Sequence, residues 1–274
     1  MNSKSLLSGA AAALAALAFI SISVQAAAQQ PAENQTAAPL ETKCSVVPDL
    51  VRLDLPLSRV GFRVAAGLPM RIVAIGSSST AGAGATSRAA SYPSRLQAEL
   101  RLHFPGDEIT VVNRGVNGEE APNMLARFDA GVIAEHPHLV LWQLGTNSLL
   151  RDRPLDPAEP IIHKGIARLK AAHTDIVLID PQFAPRVIAK NNVEPEVALL
   201  ASVARQENVD FFDRFALMRY WHDVKGIPFE TFVSPDGLHM NDWSYACFAK
   251  WLGVAIADAA NRPAGAVAAP RTTR

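Results

Sequence analysis

Residues 71–84 read RIVAIGSSSTAGAG. A short run rich in β-branched residues stops at a glycine and gives way to three serines and a threonine. An apolar run of this length, without helical period, fits a strand buried on both faces. The small residues after it allow a tight strand-to-helix turn with exposed backbone N–H groups. The same alternation recurs from this stretch to about residue 262. It predicts strands at 71–75, 108–113, 139–144, 175–180 and 209–212, and helices at 92–104, 121–135, 157–172, 194–207 and 242–261. Strands alternating with helices imply parallel crossovers and a three-layer α/β domain with about five parallel strands. In such sheets functional groups gather beyond the carboxyl ends of the strands.

Composition agrees with a packed domain. The chain has 274 residues, of which 49% are hydrophobic and 19% charged, enough to bury a sizeable core and to exclude a disordered polymer. Lys and Arg number 26, as do Asp and Glu. That balance offers no long-range basic field for nucleic acid, so no nucleic-acid partner is expected. The two cysteines, Cys44 and Cys247, are too few for a four-cysteine zinc site and form no CxxC motif.

The amino-terminal region reads differently. Lys4 precedes an apolar run over 6–24, followed by Ala26, Ala27 and Ala28. This pattern predicts a signal peptide over 1–28, with an uncleaved anchor as the alternative. Residues 29–43, rich in Gln, Pro and Ala, read as a flexible leader, 44–262 as the domain, and 263–274 as a tail. A periplasmic or secreted protein without a stable membrane span after cleavage is therefore expected. In an oxidising compartment Cys44 and Cys247 can pair. The bland alternative is two buried free thiols.

The strand ends carry small and polar residues. The first runs into Gly76-Ser77-Ser78-Ser79, which lacks the lysine of a nucleotide-binding P-loop. The second is followed by Asn113-Arg114-Gly115-Val116-Asn117-Gly118, and the third by Gly145-Thr146-Asn147. Each reads equally as a plain turn. Before the last helix stands Asp236-Gly237-Leu238-His239. An aspartate three residues before a histidine can hold the imidazole Nδ1–H and leave Nε2 as a base. In isolation Asp236 also reads as a turn residue and His239 as a surface side chain.

These four blocks, in this order, resemble the SGNH hydrolases, also called GDSL esterases or lipases. The resemblance covers about 70–262 and implies a flavodoxin-like sheet of five parallel strands. It implies Ser78 as nucleophile, His239 as general base and Asp236 as the residue orienting His239. It further implies an oxyanion hole from the backbone N–H groups of Ser78 and Gly118 and the side-chain amide of Asn147. Three positions depart from the family pattern. Ser77 and Ser79 replace an Asp and a Leu around the nucleophile, and Ser148 replaces an Asp after the asparagine. The resemblance implies an ester substrate, small, lipid-like or polysaccharide, and no metal or organic cofactor. An acyltransferase and a non-catalytic carbohydrate-binding module are the other expectations it allows.

Other side chains have a bland and a functional reading. His136-Pro137-His138 reads as a metal pair lacking a third ligand, or as a solvated helix end. Asp213 competes with Asp236 as partner of the histidine. The aromatic segment 217–232 reads as packed core or as a pocket wall. Arg151 and Arg153 read as contacts for an acidic or sugar-bearing substrate, or as solvated side chains.

Overall fold

The computed structural model describes residues 44–155 and 158–263. The expected signal peptide (1–28), the leader (29–43) and residues 264–274 of the expected tail lie outside the described residues. Among the described residues no helix is long and apolar enough to cross a membrane.

Five parallel strands form one sheet: β1 (Met70–Gly76), β2 (Ile109–Gly115), β3 (Leu139–Gln143), β4 (Asp175–Ile179) and β5 (Asp210–Phe212). Their order across the sheet is β2-β1-β3-β4-β5. The helices that matter below are α1 (Ser58–Ala65), α2 (Ser78–Ala81), α3 (Tyr92–His103), α4 (Ala121–Ala126), α5 (Phe128–Gly131) and α6 (Thr146–Leu150). They continue with α7 (Glu159–Ala171), α8 (Pro185–Ile188), α9 (Val193–Gln206), α10 (Arg214–Arg219), α11 (Phe229–Phe232) and α12 (Asp242–Ala260).

The period-2 geometry of a strand sorts its side chains between two cores. Ile72, Ala74, Leu139, Leu141, Val177 and Ile179 pack towards α1, α3 and α12. Val73, Ile75, Val140, Trp142, Ile176 and Leu178 pack towards α4, α5, α7 and α9. Both faces of the central strands are covered, which is the three-layer α/β arrangement expected from their near-continuous apolar runs. Helix α12 begins at a reciprocal cap, in which Asn241 Oδ1 accepts from Ser244 N and Ser244 Oγ accepts from Asn241 N. Beyond it the helix is buried on nearly every side.

Besides short added helices such as α6, α8 and α10, the structure departs from the expected elements in two larger ways. The single helix expected over 121–135 is three short pieces, α4, α5 and a 3-10 turn at Ile133–Glu135. Arg127 sits at the first break, where its guanidinium bonds Glu119 and the Arg114 carbonyl. The second departure is α1, for which the sequence pattern gave no signal. Its first N–H groups are accepted by a distant carboxylate, since Asp175 Oδ2 takes Arg59 N at 2.9 Å and Val60 N at 3.1 Å. Cys44 and Cys247 are joined as a disulfide, with Cα atoms 5.5 Å apart and a sequence separation of 203. In the chain-entropy account, closing so long a loop stabilises by about 5 kcal/mol.

Two predictions follow from this lower half of the molecule. Peptide mapping without reductant should find Cys44 linked to Cys247 and no alkylatable thiol; two free thiols would refute the bridge. The second concerns pH. Burial pushes Asp175 up to about 6 and Asp210 up to about 7, against partial relief from the backbone N–H bonds that each accepts. Between the ordinary aspartate value of about 4 and those values, the folded state binds more protons than the unfolded chain. Their contribution to stability is therefore complete at low pH and is lost as pH rises towards 7. Asp210→Asn keeps both accepted bonds, from Asp54 N and Leu55 N to Oδ1, but cannot ionise. Urea melts from pH 5 to 8 should show a shallower fall in stability for Asp210→Asn than for the wild type. Parallel slopes would show that Asp210 does not titrate there.

Candidate active site

The order β2-β1-β3 places a crevice at the carboxyl ends of β1 and β3, since the connections leaving these neighbours run to opposite faces. The first turn there is held from below by Gln143, the last residue of β3. Its Oε1 accepts from Ser77 N at 2.9 Å, Ser77 Oγ at 3.1 Å and Thr80 Oγ1 at 3.3 Å. Asn113 Nδ2 donates to the Thr80 carbonyl at 2.8 Å. The fit is close: a Cβ on Gly115 would lie 2.1 Å from Ala81 N. Only glycine lets β2 end against α2.

Gln143 also decides which serine is free. Ser77 is 1% exposed and bonded to Gln143, and Ser79 is fully buried with its hydroxyl 3.4 Å from Gln182 Oε1. Ser78 keeps 8% of its surface, and its Oγ lies 2.9 Å from His239 Nε2. It also occupies the first position of α2, where a backbone N–H has no acceptor within the helix.

His239 sits on a loop closed by an antiparallel bridge between Val233 and Met240 and by a bond from Ser234 N to its own carbonyl. Gly84, at φ +86°, backs that loop; a Cβ there would lie 2.2 Å from the Met240 carbonyl oxygen. Asp236 Oδ1 accepts from Leu238 N at 2.9 Å and His239 N at 3.0 Å, and Oδ2 pairs with His239 Nδ1 at 2.5 Å. Burial pushes the Asp236 carboxyl up, but the bonds from His239 and Leu238 outweigh it and leave the group below its ordinary value. An ionised carboxylate only accepts, so Nδ1 carries the proton and Nε2 presents its lone pair to Ser78.

Asn147, the second residue of α6, donates from Nδ2 to the Glu119 carbonyl at 2.9 Å. An amide NH₂ has two donors, so one remains for the crevice. Gly118, at φ +78°, lies one residue earlier on the same loop. Arg151 Nη2 donates to the Gly118 carbonyl at 3.0 Å and Nη1 to Glu120 Oε1 at 2.6 Å, while Arg153 lies 3.6 Å from Glu120. Arg151 thus braces this loop from an exposed position. A serine whose hydroxyl meets an oriented imidazole, beside a loop of available N–H donors, is equipped for acyl transfer.

The remaining candidates fall elsewhere. Asp213 caps α10, with Oδ1 accepting Ala216 N at 2.7 Å, and is not the partner of His239. His138 Nδ1 accepts Arg71 N at the opposite end of the sheet. Segment 217–232 is core only in part: Leu217, Met218, Trp221 and Phe232 are buried, with Trp221 between Phe232 and Trp243, while Asp223, Val224, Lys225, Gly226, Pro228 and Glu230 are exposed. Phe229 alone of its aromatics, with Val233, Ser234, Pro235 and Gly237, lines a cavity of about 380 Å³ beside the His239 loop. The sequence reading missed Gln143 and Gln182. A glutamine closing the apolar run LVLWQ was the available signal for the first; for the second it was position alone, just after β4.

Comparison with known proteins places this geometry. An arylesterase from Vibrio mimicus is 32% identical over 95 residues, spanning 35% of this chain and 46% of that protein. A two-domain esterase active on acetylated mannans matches with a TM-score of 0.67 at 19% identity, over 83% of this chain and 61% of that one. The chain thus spans about half to three-fifths of the length of these two relatives. An acetylxylan esterase from Geobacillus stearothermophilus matches with a TM-score of 0.59 at 20% identity, over 68% of this chain and 94% of that one. Variants of that enzyme in one serine, one aspartate and one histidine are described as catalytic mutants. At these identities the likeness is one of fold. Residues 43–262 match the model of the non-GDSL lipase-like family, and the chain belongs to that family.

Proposed function

We propose that the protein is an exported serine hydrolase of the SGNH class that cleaves carboxylic esters through an acyl-enzyme on Ser78. The observation that carries the reading is the hydrogen-bonded series Ser78 Oγ, His239 Nε2, His239 Nδ1, Asp236 Oδ2 at the carboxyl end of β1. A serine hydroxyl is a poor nucleophile until a base takes its proton. His239 takes it as Oγ attacks the ester carbonyl, and Asp236 stabilises the imidazolium that results. The tetrahedral oxyanion meets the N–H of Ser78, the N–H of Gly118 and the free amide N–H of Asn147. His239 then protonates the leaving alcohol. Water repeats the cycle on the acyl-enzyme and returns Ser78. The intact set argues against a non-catalytic binding module, and hydrolysis is the default over acyl transfer to a sugar. No metal or organic cofactor enters this scheme. Export rests on the pattern of residues 1–28.

A second reading has its own support: removal of O-acetyl groups from a polysaccharide. The fold neighbours include enzymes described as active on acetylated mannan and acetylxylan. In the xylan enzyme the aspartate and histidine of the catalytic mutants stand three positions apart, as Asp236 and His239 do.

One assay separates these readings. A series of p-nitrophenyl esters from acetate to palmitate is run beside acetylated xylan and mannan, with acetate release measured. A short-chain optimum without release from polymer supports the small-ester reading, and release from polymer supports the second. No turnover of any ester overturns both. Ser78→Ala should lose nearly all activity, and a fluorophosphonate should label the wild type at Ser78 alone. Label on Ser77 or Ser79 would overturn the assignment. Asn147→Ala should lower kcat by about 10²–10³ with little change in KM, because its donor acts on the charged intermediate. A change in KM alone would make Asn147 a substrate-binding residue instead.

A further inference from the structure

Beneath the three turns of the site lies one buried amide that touches all of them. Gln182 is fully buried, three residues beyond the end of β4. Its Oε1 accepts from Thr146 Oγ1 at 3.0 Å, Arg214 Nη2 at 3.2 Å and Ser79 Oγ at 3.4 Å. Its Nε2 donates to the Leu238 carbonyl at 3.0 Å. Ser79 follows Ser78, Thr146 precedes Asn147, and Leu238 precedes His239. We propose that Gln182 is a positioning residue that holds the nucleophile, oxyanion and base turns in register, a role that rests on the ester-hydrolase reading above.

The need for such a residue is geometric. The Ser78–His239 bond joins residues 161 apart in sequence, so neither turn's local structure sets its length. The turns arrive from the ends of β1 and β3 and from the segment before α12. A displacement of about 1 Å between reacting groups can cost about a hundredfold in rate. Gln182 is itself fixed. Arg214 is fully buried, and the same Nη2 that meets Gln182 donates to the Asp180 carbonyl at 2.5 Å. The amide has one possible orientation, because a guanidinium only donates and a carbonyl only accepts. A neutral side chain of this length with an acceptor at one corner and a donor at the other meets all four partners at once. Glutamate has no donor for Leu238 when ionised, and methionine has neither group.

The test is Gln182→Met, which keeps the length of the side chain and removes both the acceptor for Arg214, Thr146 and Ser79 and the donor to Leu238. With folding checked by Tm, kcat on p-nitrophenyl acetate should fall about tenfold to a hundredfold while KM stays within about twofold. The rate of fluorophosphonate labelling at Ser78 should fall in parallel, which a loss of stability alone would not produce in a folded sample. Where Gln182→Met unfolds the protein, Thr146→Val, which removes one of the bonds that Gln182 makes, gives the same measurement. Wild-type kcat in a folded variant, or a change confined to KM, overturns the role of Gln182. Absence of labelling at Ser78 in the wild type overturns the ester-hydrolase reading instead, so the two failures are told apart.

Discussion

Strands β1 and β3 are hydrogen-bonded neighbours, yet the chain leaves their carboxyl ends towards opposite faces of the sheet. From β1 it passes through α3 to the edge strand β2. From β2 it returns through α4 and α5, on the other face, to β3. This divergence opens the crevice and leaves the first turn without a neighbouring strand to complete its hydrogen bonds. Buried backbone N–H groups need partners, and one left unmade costs about 1–3 kcal/mol. Gln143 supplies the partner from β3, taking Ser77 N and two hydroxyls on one oxygen. The geometry of the site descends from that contact, because it turns Ser77 inward and leaves Ser78 to face His239.

Charge near the site is local and paired. Glu119 meets Arg127, and Glu120 meets Arg151 and Arg153. Two aspartates close to the crevice show how environment divides one residue type. Asp236 is partly open, with 44% of its side chain exposed, and three hydrogen bonds keep it ionised. Asp180 is fully buried, accepts chiefly from Phe215 N, and is pushed well above its ordinary value by burial and then by the neighbouring Asp213. The first can stabilise an imidazolium; the second is structural, holding the Phe215 N–H.

What could be read from sequence follows the range of the interactions involved. All five strands were legible because their apolar runs reflect burial on both faces, a property of each strand by itself. The spacing of Asp236 and His239 was legible because three residues suffice to form the pair. Helix α1 was not. Gly61, a poor helix former, stands in its middle against the Ala260 carbonyl, which a Cβ would approach to 2.4 Å, and its cap comes from Asp175, more than a hundred positions away. The breaks within 121–135 were hidden for the same reason, since Arg127 breaks the helix to reach Glu119 and Arg114. Gln143 and Gln182 act on partners 32 to 103 positions distant, and no local pattern encodes them.

The bridge between Cys44 and Cys247 has a consequence in time. A ribosome releases the chain from its amino end, so Cys44 emerges 203 residues before its partner. Cys247 lies within α12, the last helix among the described residues, and all five strands of the sheet precede it. The bond can therefore close on its native partner only once every strand of the sheet has been made. In an oxidising compartment, a chain truncated before α12 would carry Cys44 as an unpaired thiol, open to disulfide exchange. The bridge is thus a covalent mark that separates finished molecules from fragments.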